Sequence, residues 1–139
     1  MSHPEQREFF ASVAARYPEH FTGVRVLEVG SLNINGTVRD FFTDCDYIGV
    51  DVAPGPGVDV VAHGEDLRYP TGSFDTVVSA ECMEHNPAWE ATFANMARMA
   101  DGLVVFTCAT TGRAEHGTRR SDPASSPLTL EWDYYRNLT

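Results

Sequence analysis

Residues 24–36 read VRVLEVGSLNING: an apolar run that carries Glu28 and closes at Val29, then Gly30 and a polar turn. Val24, Val26, Leu27 and Val29 have the character of a strand buried on both faces. Such a strand, running into a tight turn and then a helix, leaves free backbone N–H groups at its carboxyl end, where open α/β sheets bind ligands. Only Leu32 and Ile34 are long apolar residues in the turn, and Asn35 is placed to cap a helix that opens at Gly36, with Val38, Phe41 and Phe42 turned inward.

A second run, YIGVDV at Tyr47–Val52, brings Asp51 to the tip of the next strand, about 20 residues beyond the glycine turn, where an acid can accept hydrogen bonds from the two hydroxyls of a ribose. This pairing fits nicotinamide and flavin dinucleotides as well as S-adenosylmethionine. No full G-x-G-x-x-G follows the first strand, which disfavours a nicotinamide-dependent oxidoreductase.

Outward from this pair, the chain alternates strand and helix. Pro4 and Glu5 open a first helix, capped by Ser2, with Phe9, Phe10, Val13, Ala14 and Tyr17 at helical spacing and Pro18 as its stop. After Asp51, APGPG at Ala53–Gly57 is too rich in breakers for a crossover helix, and a third strand is expected at Val58–Ala62. Phe74–Ala80 reads as the fourth strand. Asn86 caps a helix with Pro87 at its first position and Trp89, Phe93, Met96, Ala97 and Ala100 as its apolar face; Asp101 and Gly102 end it, and Leu103–Cys108 form a fifth strand. The alternation predicts an α/β fold with a parallel sheet and right-handed crossovers. Gly112–Pro127 is loop-like, and Leu128–Leu138 is the one later segment with helical character.

The 139 residues suffice for one domain with one core, and 42% hydrophobic with 22% charged residues is an ordinary globular composition. Ten basic against twenty acidic residues give a net charge of −10, which argues against nucleic acid as a partner; Arg113, Arg119 and Arg120 form only a small basic group. Cys45, Cys82 and Cys108, an odd count at irregular spacing, point to buried structural thiols in a reducing, cytoplasmic compartment. Cys82 and His85 lack a second Cys or His cluster nearby in sequence, so no metal is expected. The start MSHPEQREFF has no secretory pattern and no apolar run reaches membrane-spanning length, so no membrane partner is expected either.

The residues resemble the class I S-adenosylmethionine-dependent methyltransferases, in particular the type 11 group. The most specific match is EDLRYPTGSFDTVVSAECMEHNP at Glu65–Pro87, joined by VLEVG at Val26–Gly30 and GVD at Gly49–Asp51 in the same order and spacing. The match covers Val24 to about Cys108. It implies a Rossmann-like three-layer sandwich with a mostly parallel sheet, spread over 1–139 as a single domain with its core at about 24–108. It also implies S-adenosylmethionine as cofactor: Glu28 and Gly30 beside its methionine part, the Ser31–Asn35 turn around it, Asp51 on the ribose, Val52 on the adenine, His63 and Gly64 at the adenine edge, and Ala80 and Glu81 facing the sulfonium.

The chain departs from that family in three places. Gly30 alone remains of the glycine-rich turn, and His63 stands where an Asp usually meets the adenine amino group. The family has seven strands and this chain supplies five, so it reads as a domain incomplete at its C-terminal side, whose open sheet edge a partner or a second copy would cover.

Transfer of a methyl group is an in-line displacement that depends on near-attack geometry, with a base where the acceptor is weakly acidic. Glu81 and His116 are the catalytic candidates; Glu84 and His85 are possible bases or acceptor contacts as well, but read more readily as braces of the turn before Asn86. Trp132, Tyr134 and Tyr135 could line an acceptor pocket or pack a helix onto the sheet. The expected activity is methyl transfer to a small-molecule acceptor; the alternative is an inactive methyltransferase-like module that binds the cofactor or a partner.

Overall fold

The side chains of β1 (Arg25–Val29) point alternately into two separate cores, which is what its apolar run on both faces requires. Leu27 and Val29 pack with Val50, Val77, Met96 and Met99 on one side, and Val26 packs with Phe10, Val38, Val78 and Val105 on the other. Each fully buried side chain of this kind contributes about 1.5–3 kcal/mol relative to exposure. The computed structural model describes residues 3–139 and sets β1 at the centre of a five-stranded sheet. β2 (Asp46–Asp51) and β4 (Phe74–Ala80) flank it, with β3 (Val60–Val61) and β5 (Ala100–Thr107) outside them.

All four strand pairings are parallel, in the order β3–β2–β1–β4–β5. Helix α1 (Pro4–Arg16) covers one face through Phe10, and α2 (Trp89–Met99) covers the other through Met96 and Met99, giving the three-layer α/β arrangement. The order of strands reverses between β1 and β4, and their carboxyl ends therefore splay apart into a crevice. Ser79 ties that point together by donating its hydroxyl to the Val29 carbonyl at 2.7 Å.

Several expectations need correction. The segment after β1 forms only a 3-10 turn, Val38–Phe41, and Thr37 caps it in place of Asn35 by accepting from the Arg39 N–H at 3.1 Å. Gly36 adopts φ +134° ahead of the β-branched Thr37 and Val38, which makes a poor helix start. β3 keeps two residues of the expected five: the turn at Gly55–Val58 takes Val58, and the pairing with β2 is confined to Val60 and Val61. β5 begins at Ala100, directly after α2, with an irregularity that accommodates Asp101 and Gly102 within the strand.

On α2 the inward residues are Thr92, Met96 and Met99, while Phe93 and Ala97 face outward. Thr92 is drawn in because its hydroxyl accepts from Asn86 Nδ2 at 2.8 Å and donates to Glu65 Oε2 at 3.1 Å. Asn86 lies before the helix, accepting from the Ala88 N–H at 2.8 Å. The N-cap of α1 is His3; Ser2 lies outside the described residues.

Leu128–Leu138 is not a helix. It begins as a 3-10 turn at Pro127–Thr129, and Asp133 takes φ +47°, held there by accepting from the Arg119 N–H at 2.8 Å. The chain then runs extended, with the Arg136 N–H bonded to the Glu84 carbonyl and the Leu138 N–H to that of Ala109, each at 2.9 Å. The three cysteines are free and only half-buried. Among the described residues no helix is long and apolar enough to cross a membrane.

Candidate functional site

Gly30 turns the chain sharply at the end of β1, with φ +81° and its N–H on the Val50 carbonyl at 2.8 Å. A Cβ there would lie 2.7 Å from both Cβ and Sγ of Cys82, so the approach of β1 to the segment after β4 admits no side chain. Asp51 braces the same turn from β2. One carboxylate oxygen accepts from the Leu32 N–H at 2.9 Å and the other from the Val52 N–H at 2.8 Å. Burial pushes its pKa above the ordinary value, against the lowering effect of those two amides.

Glu28 is buried and accepts the Tyr47 hydroxyl at 2.7 Å. Desolvation pushes its pKa up to about 7, with the Tyr47 bond acting in the opposite sense. At the end of β4, Glu81 adopts φ +50°, a left-handed conformation that costs a non-glycine residue about 1–3 kcal/mol. Its N–H is held by the Thr107 carbonyl at 2.9 Å, and its Oε2 is buried with no hydrogen-bond partner among the described residues.

These groups surround a cavity of about 130 Å³ at the reversal of strand order. Its wall includes Glu28, Gly30, Asp51, Ala80 and Glu81 from the strand ends, and His85 and His116 from the segments beyond. Gln6 of α1 and residues 125–129 close it from the other side. The predicted site residues thus divide in two. Glu28, Gly30, Asp51, Ala80, Glu81 and His116 meet at one cavity, while Ser31, Val52, His63 and Gly64 are not part of its wall.

The latter four have structural settings of their own. Ser31 is buried beside Gly49 and Val52 is half-buried. His63 packs against Trp132 with ring centroids 5.5 Å apart. Gly64 is a packing glycine whose Cβ would strike Thr92 and Val29 at under 3 Å.

In sequence, Glu84 and His85 have the character of turn braces, and His85 has no metal-type partner nearby. The fold supplies one. Glu84, fully buried in the 3-10 turn Met83–His85, has Oε1 3.9 Å from Nε2 of both His85 and His116. His116 belongs to a loop beyond β5, 31 positions later in sequence, so spacing gave no signal for the trio. Tyr135 closes the group, its ring 5.7 Å from that of His85 and 5.0 Å from that of His116.

Neither Glu84 carboxylate oxygen makes a hydrogen bond of normal geometry among the described residues. Burial, and then the adjoining Glu81 carboxyl, push Glu84 up to about 9, so it is protonated near neutral pH. Burial pushes His85 down to about 4, with His116 adding to the effect, so its imidazole is neutral. The neutral His85 imidazole offers a lone pair to a cation, and Glu84 becomes a ligand where the cation displaces its proton.

Residues 1–137 match a family described as "methyltransferase domain". The chain belongs to this methyltransferase family. Its fold is the class I, Rossmann-like fold of the S-adenosylmethionine-dependent methyltransferases.

Among solved structures, the chain is similar to the 1,6-didemethyltoxoflavin-N1-methyltransferase of Burkholderia thailandensis, crystallised with 1,6-didemethyltoxoflavin and S-adenosylhomocysteine. The TM-score is 0.61 at 19% identity, over 91% of this chain and 65% of that one. Phosphoethanolamine N-methyltransferase 2 of Haemonchus contortus, crystallised with S-adenosylmethionine, gives 0.61 at 20% identity, over 94% of this chain and 34% of the other. The cyclase SpnF gives 0.61 at 17% identity, over 91% and 56%. At these identities the likeness is one of fold. The chain spans no more than about two thirds of the length of these structures. The search of curated proteins gave no match.

Proposed function

We propose that this methyltransferase-family chain binds S-adenosylmethionine and carries its methyl group to a small-molecule acceptor. The observation that carries this reading is the convergence of Glu28, Gly30, Asp51, Ala80 and Glu81 on one cavity at the reversal of strand order. A sulfonium cofactor supplies an electrophilic methyl. Asp51 lies at the tip of β2, where its remaining lone pairs can accept from ribose hydroxyls, and Glu28 lies lower in the same wall, where a cationic amine would be attracted.

Glu81 and His116 form the acceptor side. The nucleophile's lone pair makes the new bond to the methyl carbon while the old carbon–sulfur pair returns to sulfur; Glu81 is placed to take the acceptor's proton. The placement of Val52, His63 and Gly64 around an adenine remains part of this proposal and requires the cavity to extend toward them. The free thiols suit a cytoplasmic setting, and the outer edge of β5 suits cover by a second copy or another chain.

Calorimetric titration with S-adenosylmethionine and S-adenosylhomocysteine, followed by transfer of a labelled methyl to a panel of small amines and alcohols, tests this reading. Saturable binding with label in an acceptor supports it. A folded chain that binds neither compound points to the alternative, a methyltransferase-like module with another ligand or partner.

A further inference from the structure

We propose that Glu84, His85 and His116 form a binding site for a divalent transition-metal ion of the zinc class, at the inner end of the cavity. Two imidazoles and one carboxylate are a ligand set that such ions prefer over magnesium or calcium, which favour all-oxygen sites. The three ligand atoms lie within 4.8 Å of one another, with both histidine Nε2 atoms 3.9 Å from Glu84 Oε1. An ion bonded at about 2.0–2.2 Å spans that gap with small side-chain rotations.

Burial gives the second, independent reason. The Glu84 side chain is 0% exposed, that of His85 4% and that of His116 16%. Both Glu84 oxygens lack a hydrogen-bond partner among the described residues. Leaving such groups unpaired costs about 1–3 kcal/mol each, more for a charged group, and a cation at their common centre removes most of that cost.

The orientation of His116 matches this role. Its Nδ1 contacts the Ala114 carbonyl at 3.1 Å. A carbonyl only accepts, so Nδ1 carries the proton and the Nε2 lone pair faces Glu84, the usual arrangement of an imidazole ligand. Gly117 permits the geometry, since a Cβ there would lie 2.6 Å from His85 Cε1.

Three protein ligands leave coordination positions open, and both histidines line the cavity wall. The ion would hold an oxygen of the acceptor opposite the cofactor. That role rests on the methyltransferase reading; the binding of the ion does not.

The test is titration of the whole chain, first stripped with chelator, with Zn²⁺ by calorimetry and with Co²⁺ by visible absorption. Circular dichroism establishes that each protein is folded. One equivalent of Zn²⁺ should bind, and His116→Ala and the isosteric Glu84→Gln should each weaken it by about 100-fold or more and abolish the cobalt bands of a four- or five-coordinate ion. His20→Ala, a remote histidine, should change neither. Absence of saturable binding, or equal binding by both variants, overturns the site. S-adenosylhomocysteine titrated alongside separates the two readings: its binding without zinc binding rejects only the metal site, and zinc binding without it rejects only the cofactor reading.

Discussion

Tyr47 on β2 donates its hydroxyl to Glu28 on β1 at 2.7 Å, a bond between neighbouring strands that ends at the cavity wall. Tyr47 itself is held neutral, its ionisation pushed upward first by burial and then by Glu28. The pair thus keeps an acid in the sheet at the cost of taking its charge out of water.

That cost sets a pH dependence. The pKa of Glu28 is about 7 in the folded chain against an ordinary value of 4.5, so the folded state retains a proton that the unfolded chain has released. Its contribution to stability is complete below the ordinary value and is lost as pH rises through the folded one, up to about 3 kcal/mol. His85 has the opposite sign, because its lowered pKa favours the folded state as pH rises. Urea denaturation of wild type and Glu28→Gln from about pH 5 to about pH 8 isolates the first effect, since His85 is common to both. The difference between the two should shift toward the variant as pH rises; parallel profiles would mean that Glu28 titrates normally.

Asp51→Ala should weaken S-adenosylhomocysteine binding by about 1.5–3 kcal/mol if its carboxylate takes both ribose hydroxyls. The same carboxylate braces the Leu32 and Val52 amides, so alanine also loosens the glycine turn. Asp51→Asn retains one accepting oxygen. It should keep more of the stability than alanine while still losing affinity, as read by calorimetry beside thermal melts, and unchanged affinity in both variants would remove Asp51 from the site.

Gly30→Ala meets two obstacles together, a backbone φ of +81° and a Cβ 2.7 Å from Cys82. A loss of about 1–3 kcal/mol is expected from the backbone alone. Cys82→Gly in the same chain should relieve the contact but not the conformation, recovering only part of the denaturation midpoint. Full recovery would show that the collision was the whole effect.

Asn86→Ala breaks the chain of bonds from Ala88 through Thr92 to Glu65, leaving the buried Thr92 hydroxyl without its donor. About 1–3 kcal/mol of stability should go with it. Asn86→Asp, which retains the acceptor for Ala88 but not the donor to Thr92, should fall between the two by chemical denaturation.

The parts legible in the sequence are those where local pattern and tertiary burial agree. Phe74–Ala80 has the observed bounds, and the strands at Arg25 and Asp46 differ from expectation by a residue, because continuous apolar runs buried on two faces have one stable placement. The helices expected at Gly36 and Leu128 fail for a shared reason. Each has apolar residues at suitable spacing, but Thr37 and Val38 in one favour a local turn capped by the Thr37 hydroxyl, and the left-handed Asp133 in the other is held by bonds to distant segments.

Gly30 and Asp51 reach the cavity wall from strand ends whose glycine turn and acid tip are legible in the sequence, while Glu28 is pointed to only by the family resemblance. The Glu84, His85 and His116 trio has no such signal, because it depends on how the loop after β5 folds back across the sheet. Gln6 carries no such signal for a similar reason. It reaches the cavity only through the way α1 packs, its amide near Thr107 at 3.5 Å.

Residues 125–129 lie across the cavity, and the chain behind them is moored by the Arg136 and Leu138 amides. The space left, about 130 Å³, is below the roughly 300–1,000 Å³ typical of a small-molecule site, so the proposed cofactor requires residues 125–129 to move aside. Displacing this strap costs free energy, which lowers the affinity for whatever enters. In a chain that acts as proposed, a loosened mooring at Arg136 and Leu138 would thus change both how tightly the spent molecule is held and how soon it leaves, without touching a reacting group.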